Sequence, residues 1–139
     1  MMAANSYLPF FGLQKIPFAA DLELDQILAT PDLKATADRL EYAVGLGAMA
    51  MITGEVGAGK STALRWFAGH LHPSSHRLLW VTATSGSILE FYRQLLAELD
   101  INTASSSRAV LTRLIKERIG ELARQQKLQP VLIIDEASL

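Results

Sequence analysis

The chain contains no cysteine, which excludes disulfides, thiolate metal sites and cysteine nucleophiles and suits a reducing compartment. It has no apolar run near the about 18 residues that a membrane-spanning helix needs, so this part of the protein is expected to be soluble. The opening Met1-Met2-Ala3-Ala4-Asn5-Ser6 lacks the basic and apolar regions of a signal peptide, and a cytoplasmic location is the expectation. Excess charge of either sign is also missing. A formal net charge of −1 gives no global pull toward nucleic acid or an anionic membrane, although a local patch is still possible. No internal repeat occurs, and only the serines near position 105 approach low complexity. What remains is 139 residues, 50% hydrophobic and 19% charged, which is one globular domain's worth of chain with enough apolar side chains for a core.

The stretch Met49-Ala50-Met51-Ile52-Thr53-Gly54-Glu55-Val56-Gly57-Ala58-Gly59-Lys60-Ser61-Thr62 organises the rest. It satisfies G-x-x-x-x-G-K-[ST] through Gly54, Gly59, Lys60 and Ser61. A loop whose successive N–H groups turn inward around a phosphate needs residues without a Cβ, and Gly54, Gly57 and Gly59 supply them. Lys60 is placed to reach the β/γ-phosphates and Ser61 to offer a hydroxyl to Mg²⁺, while the helix that starts here points its positive end at the anion.

Tyr7-Leu8-Pro9-Phe10-Phe11-Gly12-Leu13 and Ile16-Pro17-Phe18 are aromatic and broken by prolines, which predicts an irregular arm laid across an apolar surface. Asp21 to Asp25 reads as a solvated turn or a short first helix. Thr30-Pro31-Asp32 is a helix start, since Thr30 can cap, Pro31 loses nothing at the first helical position and Asp32 suits the positive end. Leu33, Ala37, Leu40 and Val44 then fall on one face, and Gly45 and Gly47 stop the helix. Met49 to Thr53 is expected as a short buried strand. Ser61 to His70 is expected as a helix with Leu64, Phe67, Ala68 and Leu71 turned inward. His70, His72 and His76 are close in sequence, but His72-Pro73 follows a helix end, where exposed histidines are ordinary.

Leu78 to Thr82 reads as a second buried strand, and Ser87-Ile88-Leu89-Glu90 as a capping box opening a helix with Ile88, Phe91, Leu95 and Leu99 inward. Ile101 to Ser107 is a polar, Ser-rich loop. From Arg108 a helix carries the core stripe Val110, Leu111, Leu114, Ile115, Ile119 and Leu122. Arg113, Lys116, Arg118 and Arg124 cover its remaining surface, either as a solvated face or as a phosphate-contacting one.

Val131-Leu132-Ile133-Ile134 is a third buried strand, ending in Asp135-Glu136. An apolar strand that ends in two carboxylates is the second half of a nucleotide-hydrolysing site. Asp135 can hold Mg²⁺ opposite Ser61, and Glu136 can polarise the attacking water. The order of apolar segments brings Lys60 and Asp135 to the same rim of a parallel sheet, where ligands bind in open α/β folds. Together the two motifs specify a divalent-metal nucleoside triphosphate site.

With these residues in hand, the chain resembles the AAA+ P-loop ATPases, in particular the general secretion pathway protein A (ExeA) group. The resemblance rests on Tyr7-Leu8-x-Phe10-Phe11-Gly12-Leu13-x-x-x-Pro17-Phe18, on Thr53 to Ser61 and on Leu132-Ile133-Ile134-Asp135-Glu136-Ala137. Transposition ATPases similar to TniB and IstB proteins are close relatives of that group. The resemblance implies a three-layer αβα P-loop fold with a mainly parallel sheet. It divides the chain into an arm over 1–29 and the N-terminal portion of an AAA+ domain over 30–139. It implies ATP and Mg²⁺ as cofactors, with Gly54, Glu55, Val56, Gly57, Ala58, Gly59, Lys60, Ser61 and Thr62 around the phosphates and Pro17 and Phe18 facing the adenine. Ser61 and Asp135 would hold the metal, and Lys60 and Glu136 would be catalytic. Its partners would be further copies of itself and secretion or transposase proteins, with DNA possible and an inner-membrane anchor possible for the full-length protein. The family continues past Glu136 into a sensor strand, an arginine finger and a lid, so the chain is expected to be an incomplete N-terminal part of the domain. The sensor strand would lie between the strand of Met49 to Thr53 and the acidic strand, and its absence leaves unpaired edges.

Overall fold

The computed structural model describes residues 7–17, 22–83 and 87–137. A four-residue helix, α1 (Tyr7–Phe10), opens the described chain and closes with Leu13 N–H donating to Leu8 O at 2.8 Å. The irregular arm expected from the prolines thus begins with one helical turn and is irregular over residues 11–17. Phe10 and Phe11 stack edge to face at 4.9 Å yet stand 82% and 67% exposed, so they do not lie across an apolar surface. A 3₁₀ turn over Leu24–Gln26 follows, held by reciprocal bonds between the Glu23 and Gln26 side chains and each other's backbone amides. It seats on Gly69, where any Cβ would collide with the Leu24 side chain.

Helix α2 (Pro31–Gly45) begins as its first residues dictate, with Thr30 Oγ1 accepting from Leu33 N–H at 3.2 Å. It stops because Gly47 takes φ +63°. That turns the Gly47 and Ala48 amides back onto the carbonyls of Val44 and Ala43, both at 2.9 Å. Helix α3 (Lys60–His70) leaves the glycine loop and packs on α2. Strand β1 (His76–Thr82), helices α4 (Ile88–Glu98) and α5 (Arg108–Arg124) and strand β2 (Gln129–Asp135) complete the order. The strands pair in parallel from His76↔Gln129 to Thr82↔Asp135.

This register puts different residues on the two faces of the sheet. Leu79 and Val81 join Leu95, Leu96, Leu99, Leu111, Ile115 and Leu122 beneath α4 and α5. Val131 and Ile133 join Leu40 and Phe67 on the α2 and α3 side, together with half-buried Leu78 and Trp80. The result is a helix–sheet–helix layering, as the family resemblance implies. Helices α4 and α5 run side by side in the same direction, since Tyr92 near the start of one meets Thr112 near the start of the other. Toward the other end Arg118 Nε donates to Leu99 O. The loop over 100–107 therefore climbs back along the helices.

Three expectations need correction. Residues 48–55 form no strand, with Met49 and Met51 97% and 83% exposed and only Ile52 packed inward. A strand exists only through its ladder partners, and in the described sheet β1 and β2 pair only with each other, so residues 48–55 join no ladder. The Ser87 capping box is half-formed: Ser87 Oγ accepts from Glu90 N–H at 3.4 Å, but no reverse bond occurs. Ile88 is 53% exposed, because a side chain at the first helical position tilts back past the helix start, and Leu96 is buried instead.

Candidate functional site

The glycine loop leads into α3 through two left-handed residues, Gly57 at φ +82° and Gly59 at φ +85°. A Cβ at either would meet open space, so conformation rather than crowding demands glycine there. Among the described residues the amides of Gly57, Gly59, Lys60 and Ser61 donate to no other backbone group. These N–H groups belong to exposed or half-buried residues at the positive end of an 11-residue helix, an arrangement suited to an anion. The loop is held by Ala58 N–H to Glu55 O at 3.2 Å, and Val56 forms its fully exposed tip.

Lys60 folds back over the loop, its Nζ donating to Gly54 O at 3.0 Å and Glu55 O at 2.8 Å. The ammonium is therefore oriented by the loop's own carbonyls and keeps one N–H for a further acceptor. Across the rim, Ser61 Oγ donates to Asp135 Oδ1 at 3.0 Å, over 74 positions of sequence. The same carboxylate oxygen accepts Glu136 N–H at 2.9 Å. Glu136 sits at φ +56°, a left-handed conformation that a non-glycine residue adopts at a cost of about 1–2 kcal/mol. That turn ends β2 and sends the Glu136 side chain out into solvent.

The structure thus brings Lys60, Ser61, Asp135 and Glu136 to one end of the sheet. Hard oxygen donors from two elements and an ammonium beside a ring of free amides fit a phosphate chain carrying a divalent cation. Thr62 is half-buried in the first turn of α3. Pro17 is half-buried, and Phe18 lies outside the described residues. The three histidines bond locally: His72 and His76 through Nδ1 to Ser74 and Ser75, and His70 through Nδ1 to Trp66 O. One contact escapes sequence reasoning altogether. Arg65 on α3 donates to Leu22 O at 2.6 Å, tying the helix behind the glycine loop to the N-terminal segment.

Comparison with curated proteins and with solved structures gives no match. A family model described as an AAA domain matches residues 46–139, about two thirds of the chain, and it covers the glycine loop, α3, both strands and the acidic pair. A phosphate loop and an acidic strand end that meet in space, inside a match of that extent, place the chain in the AAA domain family of P-loop ATPases.

Proposed function

We propose that the protein binds and hydrolyses Mg-ATP and uses the cycle to drive assembly or remodelling of a partner complex, in the manner of general secretion pathway protein A. The observation that carries the nucleotide chemistry is the Ser61–Asp135 bond, which sets two oxygen donors within 3.0 Å at the mouth of the loop. The amides of residues 54–62 bind the phosphates. Lys60 exchanges a carbonyl of its own loop for the β/γ-phosphate oxygens. Ser61 and Asp135 hold the metal, which when bound neutralises charge developing on the transferred phosphoryl group. Glu136 orients the attacking water and accepts its proton. Pro17 and Phe18 face the adenine. Self-association of the full-length protein and a cytoplasmic location, with an inner-membrane anchor outside this part, belong to the same reading. Among the described residues no helix is long and apolar enough to cross a membrane.

A second reading, ATP-dependent DNA target selection with a transposase, is favoured by the charge of residues 108–127. This segment holds six basic and two acidic residues, a net +4, in a chain whose total is −1. A scaffold that only switches with nucleotide differs from both in having no turnover.

Thermal stabilisation by Mg-ATP and phosphate release together test the main reading. Lys60→Ala should abolish the stabilisation, which for the wild type at a hundredfold excess over Kd is about 2.7 kcal/mol. Glu136→Gln should keep it while phosphate release falls by about 10²-fold or more. Stabilisation that survives Lys60→Ala removes the site assignment. Equal, negligible release by wild type and Glu136→Gln leaves the scaffold.

A further inference from the structure

We propose that the exposed face of α5 binds the sugar–phosphate backbone of a nucleic-acid duplex. Arg108, Ala109, Thr112, Arg113, Lys116 and Glu117 line a shallow groove of about 430 Å³ along the first half of this helix. Helix α5 divides its cations into two kinds. Arg118 is committed to structure, donating to Leu99 O and pairing with Glu121 at 3.2 Å. Arg108, Arg113 and Lys116 are exposed and make no hydrogen bond or ion pair among the described residues. Their only acidic neighbour in the groove is Glu117.

The surrounding sequence suits the same ligand. Residues 101–116 contain no acid, and the loop before the helix offers Asn102, Thr103, Ser105, Ser106 and Ser107, the uncharged donors that accompany Arg and Lys at phosphates. Arg108 to Lys116 spans about 12 Å of helix axis, and each strand of a duplex presents a phosphate about every 3.4 Å of its axis. The three cations therefore cover a run of consecutive phosphates.

Position links this face to the nucleotide site without overlapping it. Because α4 and α5 run in the same direction, the start of α5 lies at the end of the sheet where β1 finishes, which is the rim that carries Asp135. The proposal rests on the second reading above, for which it names the contact surface, and not on nucleotide hydrolysis.

The test measures binding of the protein to a fluorescent 30-base-pair duplex by anisotropy, between 50 and 200 mM salt. The variant R108Q/R113Q/K116Q is compared with K15Q/K34Q/R39Q, which removes the same charge from other exposed positions. The wild type should bind, and the α5 variant should lower the slope of log affinity against log salt by about 2.7. The control should keep most of that slope, and both variants should retain thermal stabilisation by Mg-ATP. The single variants R113Q and K116Q, each expected to lower the slope by about 0.9, serve if the triple variant does not fold. Absence of duplex binding at 50 mM salt overturns the proposal, as does equal weakening in the α5 variant and the control. Displacement of the duplex by polyglutamate at equal charge concentration would assign the face to an acidic protein and overturn it as well. Loss of Mg-ATP stabilisation in the wild type would instead count against the nucleotide site.

Discussion

The two strands are the same length and pair residue for residue, yet their surroundings differ sharply. On the α4 and α5 side, Leu79 and Val81 of β1 are 1% and 0% exposed, while their register partners Leu132 and Ile134 of β2 are 43% and 39% exposed. The outer edges differ too. Along β1, Glu98 Oε2 accepts from Trp80 N–H at 3.2 Å and Gln94 Oε1 from Thr82 N–H at 3.1 Å, so side chains of α4 stand in for a neighbouring strand. Among the described residues nothing comparable borders β2, and the exposed Met49 and Met51 belong to the apolar run that finds no ladder. Strand β1 is finished as an edge. Strand β2, an uninterrupted apolar run from Val131 to Ile134, has the composition of a strand covered on both sides.

The contrast is open to direct attack. The largest effect is expected from truncating the register pair separately. Leu79→Ala removes a fully buried side chain and should cost about 2–5 kcal/mol in urea unfolding, whereas Leu132→Ala should cost less than about 1 kcal/mol. Equal losses would mean that the two halves of the sheet are packed alike. A smaller effect belongs to the edge. Glu98→Ala leaves the Trp80 amide without its charged acceptor and should cost about 1.5–3 kcal/mol. An unchanged midpoint would show that water replaces the carboxylate freely. Smallest in stability is Ile134→Lys, expected within about 0.5 kcal/mol because the side chain is already partly solvated. Its signature is in light scattering, where the new charge beside the open edge should reduce self-association at high concentration.

The legible parts of the fold were those determined over a few residues. Thr30, Pro31 and Gly47 mark both ends of α2 because capping and left-handed turns are local chemistry. The apolar stripe of α5, Val110 apart, maps onto the core because helical periodicity fixes its inner face. Met49 to Thr53 misled for the opposite reason: an apolar run states that burial is wanted, while strandhood depends on a partner elsewhere in space. The arm was read correctly over residues 11–17 and missed only its opening turn, because proline fits comfortably in the first turn of a helix.

At the site, the glycine spacing and the acid-tipped strand singled out Lys60, Ser61 and Asp135 as candidates, and the fold brings Ser61 and Asp135 into contact. The bonds of Lys60 to its own loop, the left-handed backbone of Glu136 and the Arg65 link to Leu22 had no sequence signal. Each depends on where a neighbouring carbonyl points.

The single oxygen Oδ1 of Asp135 accepts from both the Ser61 hydroxyl and the Glu136 amide. It works as a knuckle between the start of one helix and the turn that carries the second carboxylate. Losing that one oxygen would free both donors at once, one on each side of the rim, through a joint one atom wide.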